Sequence, residues 1–171
     1  MEETDVKRFT LNDLGLFDRG PDAVFDNIVD LVHQTVLAPI ALVSVIDDKN
    51  ERQVFKASRG LCREHPEVCS TPLSLSLCNE VRLRSGPLVI PDLSRDPEFR
   101  DHPARHEMGV SAYLGAPLKG PADDMIGAVC AIDTTPRIWS ERDRKCIEKL
   151  ADLGSQQVLL RAALQTLKLI A

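Results

Sequence analysis

Hydrophobic and polar positions fall into a few regular patterns along this chain. From residue 22 the apolar side chains Phe25, Ile28, Val29, Val32 and Val36 recur at steps of three and four, with Asp26, Asp30 and His33 off that stripe. The spacing predicts an amphipathic helix over residues 22–37, begun at Pro21-Asp22 and ended by Pro39. Residues 40–46 are an apolar run rich in branched side chains, the pattern of a central strand covered on both faces. A turn at 47–50 leads into residues 52–58, whose mixed polarity around Val54, Phe55 and Ala57 predicts an edge strand. A loop over 60–72 precedes a short helix expected at 73–85, stopped by Gly86-Pro87, and a brief strand at Leu88, Val89 and Ile90.

Two further apolar runs, 110–118 and 125–132, flank a cluster of Gly, Pro and Asp. They predict an antiparallel hairpin inside the sheet, with neither face charged. Gly115 and Gly127 within it suggest a bulge or close backbone approach. Tyr113 has the small neighbours Ser111, Ala112, Gly115 and Ala116. It reads either as core filler or as a phenol that finds a partner on the loop 92–107 or on a bound small molecule. The polar segment 91–109 carries Pro91, Pro97 and Pro103 and reads as a long covering or functional loop, with at most a short helix near 101–107.

The last stretch opens with Ser140 and Asp143, a variant of the capping box. Behind it, Cys146, Leu150, Leu153, Gln157, Leu160, Leu164, Leu167 and Ala171 fall at alternating steps of three and four. That is a heptad seam with one polar member, on a helix of roughly 45 Å. A seam needs a partner, so a homodimer through this helix is expected. The competing reading packs the first half on the sheet and leaves a frayed end.

Composition narrows the class. At 171 residues with 43% hydrophobic and 27% charged side chains, the chain suits one globular domain with a real core. A net charge of −5 without clustered Lys and Arg argues against nucleic acid. No run approaches a membrane span and the N-terminus lacks a signal-peptide pattern, so a cytoplasmic protein is expected. Five cysteines without that signal read as reduced thiols. The organisation expected is an arm with a mobile tip at 1–20, a domain at 21–155 and a helical extension at 156–171.

The order of these elements, with P-I-A-L-V-S-V-I-D-D from residue 39, S-L-S-L-C-N-E-V from 74, P-L-V-I-P-D-L-S-R-D-P-E-F-R-D-H-P from 87 and I-G-A-V-C-A-I-D-T-T-P-R-I-W-S from 126, resembles a GAF domain. The subgroup is the bacterial one found beside diguanylate cyclase, histidine kinase and phosphatase modules. The resemblance implies an α+β fold, an antiparallel sheet flanked by helices with a long C-terminal helix. It also implies a dimer contact on one face and a pocket under the polar loops on the other. Cys78, Tyr113 and Cys130 are the candidate pocket residues; Leu150, Leu153, Gln157, Leu160, Leu164 and Leu167 are the candidate dimer seam. The function implied is sensory or regulatory. A small molecule or partner would bias the dimer and act on an output module, with no cofactor and no catalysis.

The family's chemical variants find little purchase. The cyclic-nucleotide constellation Asn-Lys-x-n-Phe-x3-Asp-Glu is missing, and the Cys-His pair of bilin carriers is not matched, since Asn79 follows Cys78 and Ala131 follows Cys130. Cys62, Cys69 and Cys78 invite comparison with free methionine sulfoxide reductases, whose surrounding motif differs; a thiol-based redox sensor or reductase therefore stays as an alternative, beside a ligand-free dimerisation module. Cys62, His65, Cys69 and Cys78 lack the paired Cys-x2-Cys knuckles of structural zinc. His33, His65, His102 and His106 have no nucleophile elbow beside them. Asp92, Asp96, Asp101, Asp123 and Asp124 lack the register of a calcium loop and read as turn and cap residues.

Overall fold

In the computed structural model, which describes residues 9–18, 20–61 and 70–171, the chain runs α1 (Ala23–Val36), β1 (Ile40–Asp47), β2 (Arg52–Arg59), β3 (Ser70–Pro72), α2 (Leu77–Arg84), β4 (Leu88–Ile90), α3 (Pro103–Met108), β5 (Ala112–Lys119), β6 (Met125–Asp133) and α4 (Glu141–Ile170). The strands form one sheet in the order β3-β2-β1-β6-β5-β4, with every neighbouring pair antiparallel. This is an α+β fold with a long C-terminal helix. Its two hairpins meet at the β1–β6 pairing, and all of β1 is buried, as an apolar run covered on both faces requires.

Each face carries its own core. On one side α1 and α4 lay Phe25, Val29, Val32 and Ile147 on Leu114 and Leu118 of β5. Gly154 brings α4 close, because a Cβ there would stand 2.9 Å from Leu118 Cδ1. On the other side α2 and the segment after β4 cover the sheet, with Val81 and Leu93 in one cluster with Ile90, Tyr113 and Cys130 of the strands. Leu14 and Leu16 of the arm are buried in the first core; the arm's tip lies outside the described residues.

Several expectations shift. β2 is not an edge: β3 pairs with Arg52, Gln53 and Val54, so the edges are β3 and β4, three residues each. The charges that suggested an edge have other employment. Arg52 pairs with Asp47 at 2.9 Å, Arg59 pairs with Asp30, and Lys56 sits at a bulge where the β1–β2 register slips between Val43 and Ser44. The first helix ends at Leu37, which turns left-handed (φ 57°) and donates its N–H to His33 O, two residues before Pro39. The helix expected over 73–85 is split. A 3-10 turn at Leu73–Leu75 comes first, and α2 then starts afresh behind the cap Ser76.

The capping box on α4 forms as expected: Ser140 Oγ accepts from Asp143 N at 3.1 Å and Asp143 Oδ2 accepts from Ser140 N at 2.9 Å. The helix runs unbroken to Ile170, and Val158 and Ala162 belong to the core. A frayed second half is thus replaced by one packed well past residue 155.

Candidate functional site

Beneath α2 lies a small polar network in an otherwise apolar layer. Ser44 interrupts the apolar run of β1 and donates its hydroxyl to Gln53 Oε1 of β2 at 3.0 Å. Ser76 Oγ donates to the same oxygen at 2.7 Å while accepting from Asn79 N, so one residue caps α2 and joins it to the network. Gln53 Nε2 donates to Thr71 Oγ1 of β3 at 2.6 Å. Every buried side-chain nitrogen and oxygen among the described residues has a partner, as stability in a dry layer demands.

Next to this network the fold brings the three candidate pocket residues together. Tyr113 of β5 donates its hydroxyl to Cys78 Sγ of α2 at 3.2 Å, and Cys78 Sγ stands 3.6 Å from Cys130 Sγ of β6. The phenol's partner is therefore this thiol rather than a group on the loop 92–107. Gly115 makes the arrangement possible. It lies two residues along the same face, and a Cβ there would sit 2.5 Å from the Tyr113 hydroxyl oxygen, so only glycine lets the ring lie down along β5. Tyr113 and Cys130 are fully buried and Cys78 is 3% exposed. The side chains pack shut.

The two thiols differ electrostatically. Burial holds Cys130 well above the ordinary thiol range. Cys78 is lowered: the hydrogen bond from Cys130 is the main cause, with Tyr113 and Ser44 helping against burial. Burial also lifts the Tyr113 phenol, which stays protonated and a donor.

The other candidate chemistry disperses. His33 Nδ1 bonds Ala38 O at 2.9 Å, closing the end of α1, while His102 caps α3 through Nδ1 and is lowered by burial. His106 lies beside Arg105. Asp92 and Asp96 accept backbone N–H groups two or three residues on, Asp101 and Asp123 pair with Arg100 and Lys119, and the Asp124 carbonyl closes the β5–β6 turn. Cys62, His65 and Cys69 lie outside the described residues. Among the described residues no group of three or more His, Cys, Asp or Glu is placed to hold a metal, and no helix is long and apolar enough to cross a membrane.

Across the sheet, sequence reasoning missed an ion cluster that ties the last helix to the rest. Lys56, 4% exposed, points inward from the β2 bulge and pairs with Asp22 Oδ2 at 3.2 Å, donating also to Gly15 O at 2.9 Å. Arg161 of α4 donates to the same carboxylate oxygen, reaches Leu14 O at 3.3 Å and lies 5.1 Å from the centre of the Phe25 ring. The sheet, the arm, α1 and α4 thus meet at one carboxylate. A cleft of about 340 Å³ opens beside it, lined by Phe17, Asp18, Asp26, Lys56 and Ser58 among others.

The whole arrangement has relatives. The family model described as GAF domain matches residues 20–158. A cyclic di-GMP phosphodiesterase of Pseudomonas aeruginosa is 34% identical over 154 residues, which is 89% of this chain but only 25% of that relative's length. Among solved structures, the GAF domain of an Acinetobacter phosphoenolpyruvate-protein phosphotransferase has a TM-score of 0.67 at 19% identity, covering 89% of this chain and 91% of its own. Free methionine-R-sulfoxide reductase from Neisseria meningitidis, solved with its substrate, has a TM-score of 0.65 at 16% identity and covers 90% of this chain and 87% of its own. At such identities the two structures speak for the fold alone, and it is the family model, laid over this sheet order and these helices, that makes the chain a member of the GAF domain family.

Proposed function

We propose that this GAF domain is a sensory module that forms a homodimer through α4 and passes the binding of a small molecule or partner along that helix to an output module, in cis or in trans. GAF domains commonly serve as sensory modules in signalling proteins. The observation that carries the finer reading is the division of α4 into two faces. Ile147, Leu150, Ala151, Gly154, Val158 and Ala162 are buried in the chain's own fold, while Leu153, Leu160, Leu164 and Leu167 remain 49–57% exposed in one stripe. Leu150 thereby drops out of the expected seam and Gln157 is half-buried. A row of exposed leucines, interrupted once by Gln157, on a helix of 30 residues favours a second helix as its cover.

The relay follows from the Asp22 cluster. Arg161 sits one residue from the exposed Leu160, and its carboxylate partner is shared with the sheet through Lys56. A shift of the β2 bulge or of the arm is therefore felt at the seam. A ligand drives such a shift only through different affinities for the two arrangements. The phosphodiesterase relative, of which this chain matches a quarter, supports a domain that works beside an output module. Since the sulfoxide-reductase alternative rests on a shared fold only, we infer a binding and relay role rather than catalysis.

The test is Leu160→Asp, read by size-exclusion chromatography with light scattering. A folded monomer from a dimeric parent is expected, because a partner helix would bury the new carboxylate without a counter-charge. A dimer that survives places the contact elsewhere, and a monomeric parent refutes the reading.

A further inference from the structure

The described free cysteines are Cys78, Cys130 and the half-buried Cys146. Two of them face each other across layers of the fold: Cys78 on α2, which covers this face of the sheet, and Cys130 on β6, at the centre of the sheet. Their sulfurs are 3.6 Å apart, against about 2.05 Å in a disulfide, so a side-chain movement of about 1.5 Å closes the gap. We propose that Cys78 and Cys130 form a redox-modification site at which a hydroperoxide joins α2 covalently to β6.

The surroundings distinguish the two sulfurs. Cys78 lies in the first turn of α2, directly behind the Ser76 cap, where the helix dipole favours a thiolate. It also receives the Tyr113 hydroxyl at 3.2 Å. Cys130 is wholly buried and kept as a thiol. Cys78 is the attacking sulfur and Cys130 the resolving one. The Cys78 thiolate attacks one peroxide oxygen, the O–O bond breaks, and a sulfenic acid forms with loss of hydroxide, which takes up the proton given up by Cys78. Cys130 then attacks the sulfenic sulfur, its proton leaves with the departing hydroxide as water, and the S–S bond closes. In sum two thiols and one hydrogen peroxide give one disulfide and two waters, the thiols being oxidised by two electrons and the peroxide reduced.

Burial selects the oxidant. With 3% and 0% of these residues exposed, access is restricted, which favours a small neutral peroxide over glutathione disulfide, a large and charged oxidant. The product pins α2 onto the sheet. The inference is independent of the dimer, because the two sulfurs and their partners all belong to one chain.

The experiment treats the reduced native chain with hydrogen peroxide, blocks remaining thiols, and maps peptides by mass spectrometry without reductant. The expected result is a Cys78–Cys130 linked peptide short of two hydrogens and restored by dithiothreitol, with at least about ten-fold less under the same exposure to glutathione disulfide. In Cys130→Ser, verified as folded by circular dichroism, the reaction stops at a sulfenic acid on Cys78 that dimedone traps. Tyr113→Phe slows that step about five-fold, the loss of one hydrogen bond. The wild-type map needs no variant to fold. A native chain that yields no Cys78–Cys130 peptide, or that links either residue to Cys62, Cys69 or Cys146 instead, overturns the proposal. So does glutathione disulfide acting as fast as peroxide.

Discussion

Asp22→Asn is the most informative single substitution, because one carboxylate holds three parts of the fold. The asparagine keeps the shape and removes the charge. It does not uncap α1, since Asp22 makes no side-chain cap bond there. What remains for Lys56, 4% exposed, is a set of neutral acceptors, the Gly15 and Asp18 carbonyls at 2.9 and 3.4 Å and the amide oxygen of the new asparagine. Breaking a buried pair by removing one partner costs about 3–5 kcal/mol. Arg161 is 21% exposed and keeps both Leu14 O and the Phe25 ring, so most of the loss falls on Lys56 and the lower figure, about 3 kcal/mol, is expected. Urea unfolding at constant m-value measures it. Lys56→Met alone should also destabilise, while the double variant should lose far less than the sum, because no charge is then left stranded. Additive losses, or a loss under about 1 kcal/mol for Asp22→Asn, would refute the argument.

The same carboxylate sets a pH signature. Burial raises its pKa, but the hydrogen bonds from Arg161 and Lys56 and their charges together outweigh burial and depress it below the reference value of 3.8. A depressed carboxylate contributes stability that is complete above the unfolded value and is lost as pH falls through the folded one. Wild type should therefore lose an increment of stability below about pH 4 that Asp22→Asn never shows.

Two local predictions use other parts of the molecule. Gly127→Ala should fail to fold in soluble form, because the new Cβ would stand 1.9 Å from the Ser44 carbonyl oxygen of β1. Gly115→Ala, whose Cβ meets the Tyr113 side chain instead, should fold with a loss of about 1–3 kcal/mol; equal behaviour of the two variants in expression and urea titration would contradict this ranking. Ser140→Ala should lower stability by about 1 kcal/mol through the lost α4 cap, seen as a lower Tm, and an unchanged Tm would mean that the cap contributes nothing.

Where a pattern is local, the sequence carried it. The stripe from Phe25 to Val36, the apolar run of β1, the β5–β6 hairpin and the Ser140–Asp143 cap each depend on residues within a turn or two of one another, and each stands in the structure at nearly the expected place. β3 is three residues long, too short for a periodicity, and its absence from the pattern is why β2 looked like an edge. The polar network and the thiol pair beside it were half legible. Ser44, the one polar residue in the run 40–46, is the signal that could have found the network, but its partner Gln53 and the meeting of Cys78 with Cys130, 52 residues apart, depend on tertiary pairing. Lys56 was misread because a charge at an edge and a charge buried at a bulge look alike until the register is known.

The last helix carries two apolar faces, and the leucine seam legible in the sequence is, apart from Leu150, the exposed one. Large leucines define the seam that the eye follows, yet the face turned inward is the one with Ala151, Gly154 and Ala162. Small residues let α4 approach β5 closely: at Gly154 a Cβ would already press on Leu118 at 2.9 Å, with Ile28 Cδ1 at 3.5 Å behind it. Close approach at these positions joins the burial of Ile147, Leu150 and Val158 in securing this helix to its own domain, and Arg161 fastens it further through Asp22. The leucines are consequently not needed for the fold of the single chain. Four of them in one stripe, each about half exposed on a helix held straight from behind, leave a large apolar strip uncovered. The two faces thus differ in role: one fixes the helix on its own domain, and the other is the apolar strip on which the proposed dimer rests.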